Sequence, residues 1–240
     1  MSEKLSSEGI CDFCGKTQAQ RGINRHLNSH LSKEKGKAGT SFLVYVKADI
    51  MFLSLWVDGD TTFDELDDFL RAIWLECCGH LSAFRDPKGI YVQAPSQEDD
   101  FFDFSDDHEV PMDMRMNRVL AKGKKLNYEY DFGSTTPLNI EVKYEYEIQA
   151  SSSIILLSRN EPLKIMCDLC GKAPATDICS IHIWEGEGYY CEDCTEIHEE
   201  KCEDFAEYAA MPVVNSPRMG VCAYDGGSID LERDGVYKGK

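Results

Sequence analysis

The 240-residue chain carries 25 Lys and Arg against 43 Asp and Glu, a formal net charge of −18, and 42% of its residues are hydrophobic. The apolar share suffices for a core, and the length fits one large domain or two to three small ones. So acidic a balance excludes a protein whose whole surface grips nucleic acid, and no apolar run approaches the roughly 20 residues of a membrane-spanning helix. The opening MSEKLSSEGI has no apolar signal segment, so a soluble, cytoplasmic protein without membrane contact is expected. In a reducing compartment the eleven cysteines read as metal ligands, with disulfides as the alternative in an oxidising one.

The charge is uneven. Residues 1–40 hold seven Lys or Arg against four acids, a net of +3, while residues 41–240 carry −21. The basic part contains CDFCGKTQAQRGINRHLNSH, in which Cys11, Cys14, His26 and His30 are spaced C-x2-C-x11-H-x3-H. Two thiols and two imidazoles at such spacing suit one tetrahedral zinc. The arrangement resembles a two-Cys-two-His finger, with a gap of eleven instead of twelve and Gln18 where an aromatic is expected. Ile23 and Leu27 are expected to pack on the metal core, and Arg21, Asn24, Arg25 and Asn28 to lie on the helix where bases or phosphates are met. One finger reads about three base pairs, so weak nucleic-acid contact through residues 1–38, or docking on protein, is expected rather than specific reading. SKEKGKAGT closes this module as a basic linker.

From Ser41 to about Ser158 the pattern predicts an α+β domain, with a central antiparallel sheet packed by an amphipathic helix. SFLVYVKAD and MFLSLWVD read as strands. In DGDTTFDELDDFLRAIWLECC, Thr62 and Glu65 form a capping box, and Phe63, Leu66, Leu70, Ile73, Trp74 and Cys77 recur at helical spacing, leaving the other face acidic. Cys77 on that stripe reads as a packed thiol and His80 as a residue closing the helix end; a nucleophile or metal site at Cys77, Cys78 and His80 is the alternative. LSAFRD and GIYVQ read as short strands around the turn sequence Asp86-Pro87-Lys88-Gly89. QEDDFFDFSDDHEVPMD reads as a solvated acidic loop pinned by Phe101, Phe102 and Phe104, the alternative being a cation or basic-partner site. KLNYEYDF and LNIEVKYEYEIQ alternate cleanly, placing Leu126, Tyr128, Tyr130 and Phe132 on one face and Ile140, Val142, Tyr144, Tyr146 and Ile148 on one face. IILLS is a further strand.

The third module, 164–240, carries ligand pairs in the order C-x2-C-x8-C-x2-H-x8-C-x2-C-x3-H-x3-C. Cys167 and Cys170 with Cys191 and Cys194 make two knuckles spaced to hold one zinc, and Gly171 supplies the positive φ that such a turn requires. Cys179, His182, His198 and Cys202 interleave with them. A cross-brace follows, in which the first and third pairs bind one metal and the second and fourth another. His198 and Cys202, four apart, share a helix face. Two to three structural Zn2+ ions are therefore expected in the chain, each fully ligated by protein. Cys222 has no partner at ligand spacing and reads as a buried small apolar residue. Around these pairs Glu185, Glu187, Glu192, Asp193, Glu196, Glu199 and Glu200 make an acidic surface suited to a protein partner.

The stretch from 41 to about 150 resembles the plasmid pRiA4b Orf-three-like family, also met as the passenger protein of an insertion element. The resemblance rests on the strand pair before VDGDTTFDELDDFLRAIW, on HLSAF, on RMNRVL and above all on KLNYEYDFG. IWLECCGHLSAF together with NSPRMGVCAY looks like a zinc-bearing branch of that family, which pairs this domain with Cys-rich segments. The resemblance implies an α+β domain and mobile-element association, and no established reaction. The family often continues after the YDFG strand with an acid, a tryptophan and a histidine, where this chain has Ser134, Thr136 and Leu138. The reading is a zinc-binding adaptor with a finger, a central α+β domain (41–158) and a cross-brace-like module. A metal-dependent enzyme acting on nucleic acid is the alternative, and mimicry of nucleic acid by the acidic surface a third reading. No nucleophile, base and orienting group stand at readable spacing, and no catalytic residue is assigned.

Overall fold

Strand-forming residues recur between Ala38 and Arg159, and in the computed structural model they build one large sheet. The structure describes residues 7–93 and 108–238. The carboxylates Glu98, Asp99, Asp100, Asp103, Asp106 and Asp107, with the three phenylalanines of the acidic loop, lie outside the described residues. The chain forms two compact units: Glu8–Leu70 with His80–Asn160, and Arg71–Gly79 with the chain from Glu161 onward.

The first unit opens with the hairpin β1 (Glu8–Ile10) and β2 (Thr17–Ala19), followed by helix α1 (Gln20–Leu31). Next come β3 (Ala38–Ala48), β4 (Met51–Asp58) and helix α2 (Phe63–Leu70). Then follow β5 (Ser82–Asp86), β6 (Gly89–Val92), β7 (Glu109–Pro111), β8 (Lys125–Tyr130), β9 (Thr136–Ile148) and β10 (Ile154–Arg159). Eight strands pair in the order β10-β4-β3-β9-β8-β5-β6-β7, antiparallel throughout except for β6 with β7. The α+β reading with a central sheet and few helices describes the molecule.

Helices cover both faces of this sheet. Side chains alternate along β3 and β4, so Leu43, Phe52 and Trp56 share the face against which Cys11, Ile23, Leu27 and Leu31 are buried. The other face carries Val46, which pairs with Ile140, which in turn pairs with Leu126 on β8. On that face Tyr128 donates its hydroxyl to Asp67 of α2 at 2.6 Å, and Phe63 stacks on Tyr91 with centroids 4.6 Å apart. Covering on both faces explains why β4 is a near-continuous apolar run. The helix start is the expected capping box: Thr62 N–H donates to Glu65 at 2.9 Å and Glu65 N–H to the Thr62 hydroxyl at 3.2 Å.

Two alternation readings need correction. In β9 the register slips one residue between its pairings with Leu43 and Val44, leaving Lys143 as the extra residue of a bulge. A bulge reverses which face follows, so Ile140 and Val142 face α2, while Tyr144, Tyr146 and Ile148 pack with α1. Phe132 is half exposed rather than in line with Leu126, Tyr128 and Tyr130. The strand stops at Tyr130 because Asp131 takes a φ of +62° and its carboxylate accepts N–H bonds from Gly133 and Ser134, a local turn that competes with the ladder.

In the second unit a single turn, Arg71–Leu75, buries Ile73, Trp74 and Leu75. Strands β11 (Asp177–Cys179), β12 (Tyr189–Tyr190) and β13 (Ala210–Pro212) form a small sheet with β11 central. Helix α3 (Glu192–Glu199) starts directly after Cys191. Much of this unit's core is itself sulfur: Cys167, Cys179, Cys191, Cys194 and Cys202 are buried together with Tyr190 and Phe205.

Candidate metal centres

The N-terminal ligand set is built by a turn and a helix. Cys11 opens a tight loop in which Gly15 N–H donates to the Cys11 carbonyl at 2.8 Å, bringing Cys14 back beside it. One turn of α1 then separates His26 from His30, so both imidazoles leave the same helix face. The two Nε2 atoms stand 3.3 Å apart, and Cys14 Sγ lies 3.2 Å from His26 Nε2. All four donor atoms lie within 4.8 Å of one another. The aromatic missing at Gln18 has a counterpart: Phe13, between the two cysteines, stacks on His30 at 5.2 Å.

Bond lengths of roughly 2.0 Å to nitrogen and 2.3 Å to sulfur in a tetrahedron require ligand separations of about 3.3 Å for N–N, 3.6 Å for N–S and 3.8 Å for S–S. The N-terminal set meets the first and comes close on the second. Burial, then His30 and Lys16, lowers the pKa of His26, keeping a lone pair on the ring at neutral pH.

In the second unit the ligand pairs interleave in space as the cross-brace reading has them. Cys167, Cys170, Cys191 and Cys194 converge within 4.8 Å, and so do Cys179, His182, His198 and Cys202. Cys170 and Cys191 sulfurs are 3.8 Å apart, the tetrahedral edge given above, and none of the eleven cysteines is in a disulfide. The first knuckle repeats the N-terminal geometry: Gly171 N–H donates to the Cys167 carbonyl at 2.9 Å, with Gly171 at φ +62°. The Lys172 N–H points at Cys170 Sγ at 3.4 Å. N–H bonds from Lys172 and Ala173 hold the Cys170 thiol down at about 6, whereas burial and then the neighbouring thiols push Cys194 up to about 12. A cation held among the four sulfurs would lower the pKa of every thiol it binds.

The second set in this unit carries an orphaned polar atom. His198 is buried, and its Nε2 has no hydrogen-bond partner among the described residues. Tyr190 stacks on its ring at 4.0 Å and Phe205 meets it edge-on at 4.9 Å. Burial, then His182 and Lys201, lowers the pKa of His198. A neutral, clamped imidazole with an unsatisfied buried nitrogen suits a metal ligand. Cys179 Sγ lies 3.1 Å from His182 Nδ1 in the same set.

Other sequence-assigned residues fall elsewhere. Asn24 and Asn28 are turned to the sheet: Asn24 accepts a bond from the Ser54 hydroxyl at 3.0 Å and Asn28 from the Tyr146 hydroxyl at 2.9 Å. Arg21 and Arg25 remain exposed. Cys222 is exposed rather than buried, Cys78 is exposed, and Cys77 is half-buried rather than packed like its stripe neighbours. His80 Nε2 lies 3.5 Å from the carboxylate of buried Asp131, and its ring meets Tyr130 edge-on. Asp67, which sequence reasoning left on the acidic face, is fully buried and accepts from Ser82, Tyr128 and Gln93. Its signal was positional, since it stands four residues after Phe63 and three before Leu70.

A family model described as plasmid pRiA4b ORF-3-like protein matches residues 49–177. Among solved structures, a protein of unknown function, MM3350, from Methanosarcina mazei Go1 is similar at 15% identity. The match covers 51% of this chain and 68% of that one, with a TM-score of 0.38. No curated protein matches the chain. No helix among the described residues is long and apolar enough to cross a membrane.

Proposed function

The chain belongs to the plasmid pRiA4b ORF-3-like protein family, and from that premise we propose that it is a zinc-stapled cytoplasmic adaptor that contacts another protein. The observation that carries this reading is the closure of the three ligand sets. Each brings four Cys or His donors within 4.8 Å, and four protein ligands saturate zinc, leaving no position for a water or substrate. Zinc in such sites supplies folding free energy, about 10 kcal/mol or more in small fingers.

The partner surface lies on the second unit. Trp184 is 78% exposed, and Leu169 and Ile197 are exposed in a cleft they share with Glu185, Glu187 and Lys201. Glu192, Asp193, Glu196, Glu199 and Glu200 add exposed negative charge on α3 and its end. An aromatic anchor with an acidic surround fits a basic protein segment. In the first unit Lys16, Arg21, Arg25, Lys33, Lys35 and Lys37 are exposed, which supports weak, salt-sensitive nucleic-acid contact there.

Zinc chelation tests the reading. Treatment of the intact protein with a strong chelator is expected to lower its thermal midpoint and to abolish amide-exchange protection in residues 164–238. An unchanged midpoint after verified metal removal, or purified protein holding no transition metal, overturns it.

A further inference from the structure

The second unit holds three more converging thiols. Cys77 and Cys78 Sγ are 3.6 Å apart, and Cys78 and Cys222 Sγ are also 3.6 Å apart. The three sulfurs lie within 4.8 Å of one another, close to the sulfur–sulfur edge of about 3.8 Å in tetrahedral zinc thiolate. Hydrophobic packing does not account for this, because Cys78 and Cys222 are exposed.

The surrounding chain is tied so as to bring them together. Ser216 Oγ donates to the Trp74 carbonyl at 2.6 Å and Ser228 N–H to the Ala72 carbonyl at 2.7 Å, lashing the Cys222 loop to the Cys77–Cys78 turn. That turn is fixed by Glu76, which takes the Arg71 guanidinium and the Gly79 N–H. Cys222 and Ala223 both adopt positive φ, +54° and +52°, a conformation that non-glycine residues keep only where the surroundings enforce it. Arg218 is fully buried, with a guanidinium nitrogen 3.6 Å from Cys77 Sγ. A buried cation at that distance offsets the negative charge of a thiolate-rich site.

We propose that Cys77, Cys78 and Cys222 are three ligands of a fourth zinc site. The site deepens the adaptor reading, on which it rests. Its role is structural: it closes a loop between ligands 144 positions apart.

Two measurements on the full chain test it. Metal counting by native mass spectrometry is expected to find four zincs in the wild type and three in Cys222→Ser. Three in both overturns the fourth site and leaves the other three standing, whereas none in the wild type overturns both readings. The second measurement needs no variant. Iodoacetamide is expected to spare Cys77, Cys78 and Cys222 until a chelator is added. Immediate labelling of exposed Cys78 and Cys222 in the untreated protein, or a Cys78–Cys222 disulfide in its peptide map, overturns the proposal.

Discussion

Asp67 shows what a single residue can hide. Ser82, Tyr128 and Gln93 all donate to it, Tyr128 at 2.6 Å. Tyr128→Phe removes one bond to a buried carboxylate, and a loss of about 1.5–3 kcal/mol in urea unfolding is expected. Asp86 gives a pH-dependent prediction. Burial opposes its ionisation, but bonds from Lys124, Lys88 N–H and Gly89 N–H win, so its pKa is lowered below the ordinary 3.8. A lowered folded-state value means that this carboxylate stabilises fully above its unfolded value and loses its contribution as pH falls through the folded one. Lys124→Met raises the folded value, so acid unfolding followed by circular dichroism is expected to begin at higher pH than in the wild type. Neither carboxylate was legible as special: an acid among acids on a helix, or in a turn, carries no mark of burial until its neighbours are known.

At the scale of elements, capping box, hairpin turns and strand alternation were readable because each depends on residues close in sequence. The face reversal in β9 was not, since a bulge arises from pairing with β3 and leaves no local signature at Lys143. The fate of α1 was half readable. Ile23 and Leu27 announced an apolar stripe, and they are buried with Cys11, but the same cluster holds Leu43, Phe52 and Trp56 of the sheet, which no local pattern showed. Leu27→Ala is therefore expected to destabilise the sheet unit by about 2–5 kcal/mol, read as lost exchange protection in β3 and β4 and not only in the finger. Cys191→Ser is expected to act on the other unit, removing protection from β11, β12 and α3 while β3, β4 and β9 keep theirs. Equal loss in both units would contradict this division.

For the whole molecule, charge is the quantity that composition states most directly. Residues 1–40 have a net charge of +3 in a chain of −18, so any nucleic-acid affinity is assigned to exposed Arg21, Arg25 and the linker lysines. Deleting residues 1–38 would also strip α1 from the sheet, so the cleaner test is Arg21→Glu with Arg25→Glu in the intact chain. Binding to a short duplex at low salt is expected to fall at least tenfold, with a shallower salt slope; binding unchanged by the pair would place the contact elsewhere. The sequence by itself determined the α+β class, the family resemblance and three Cys/His groups whose donors converge and could hold a metal, because strand periodicity and knuckle spacing are local codes. Only tertiary structure decided which face each helix covers, that Asn24 and Asn28 turn inward, and that Cys222 meets Cys78 across 144 positions. Those depend on packing between distant segments, and no spacing rule records which distant segments will meet.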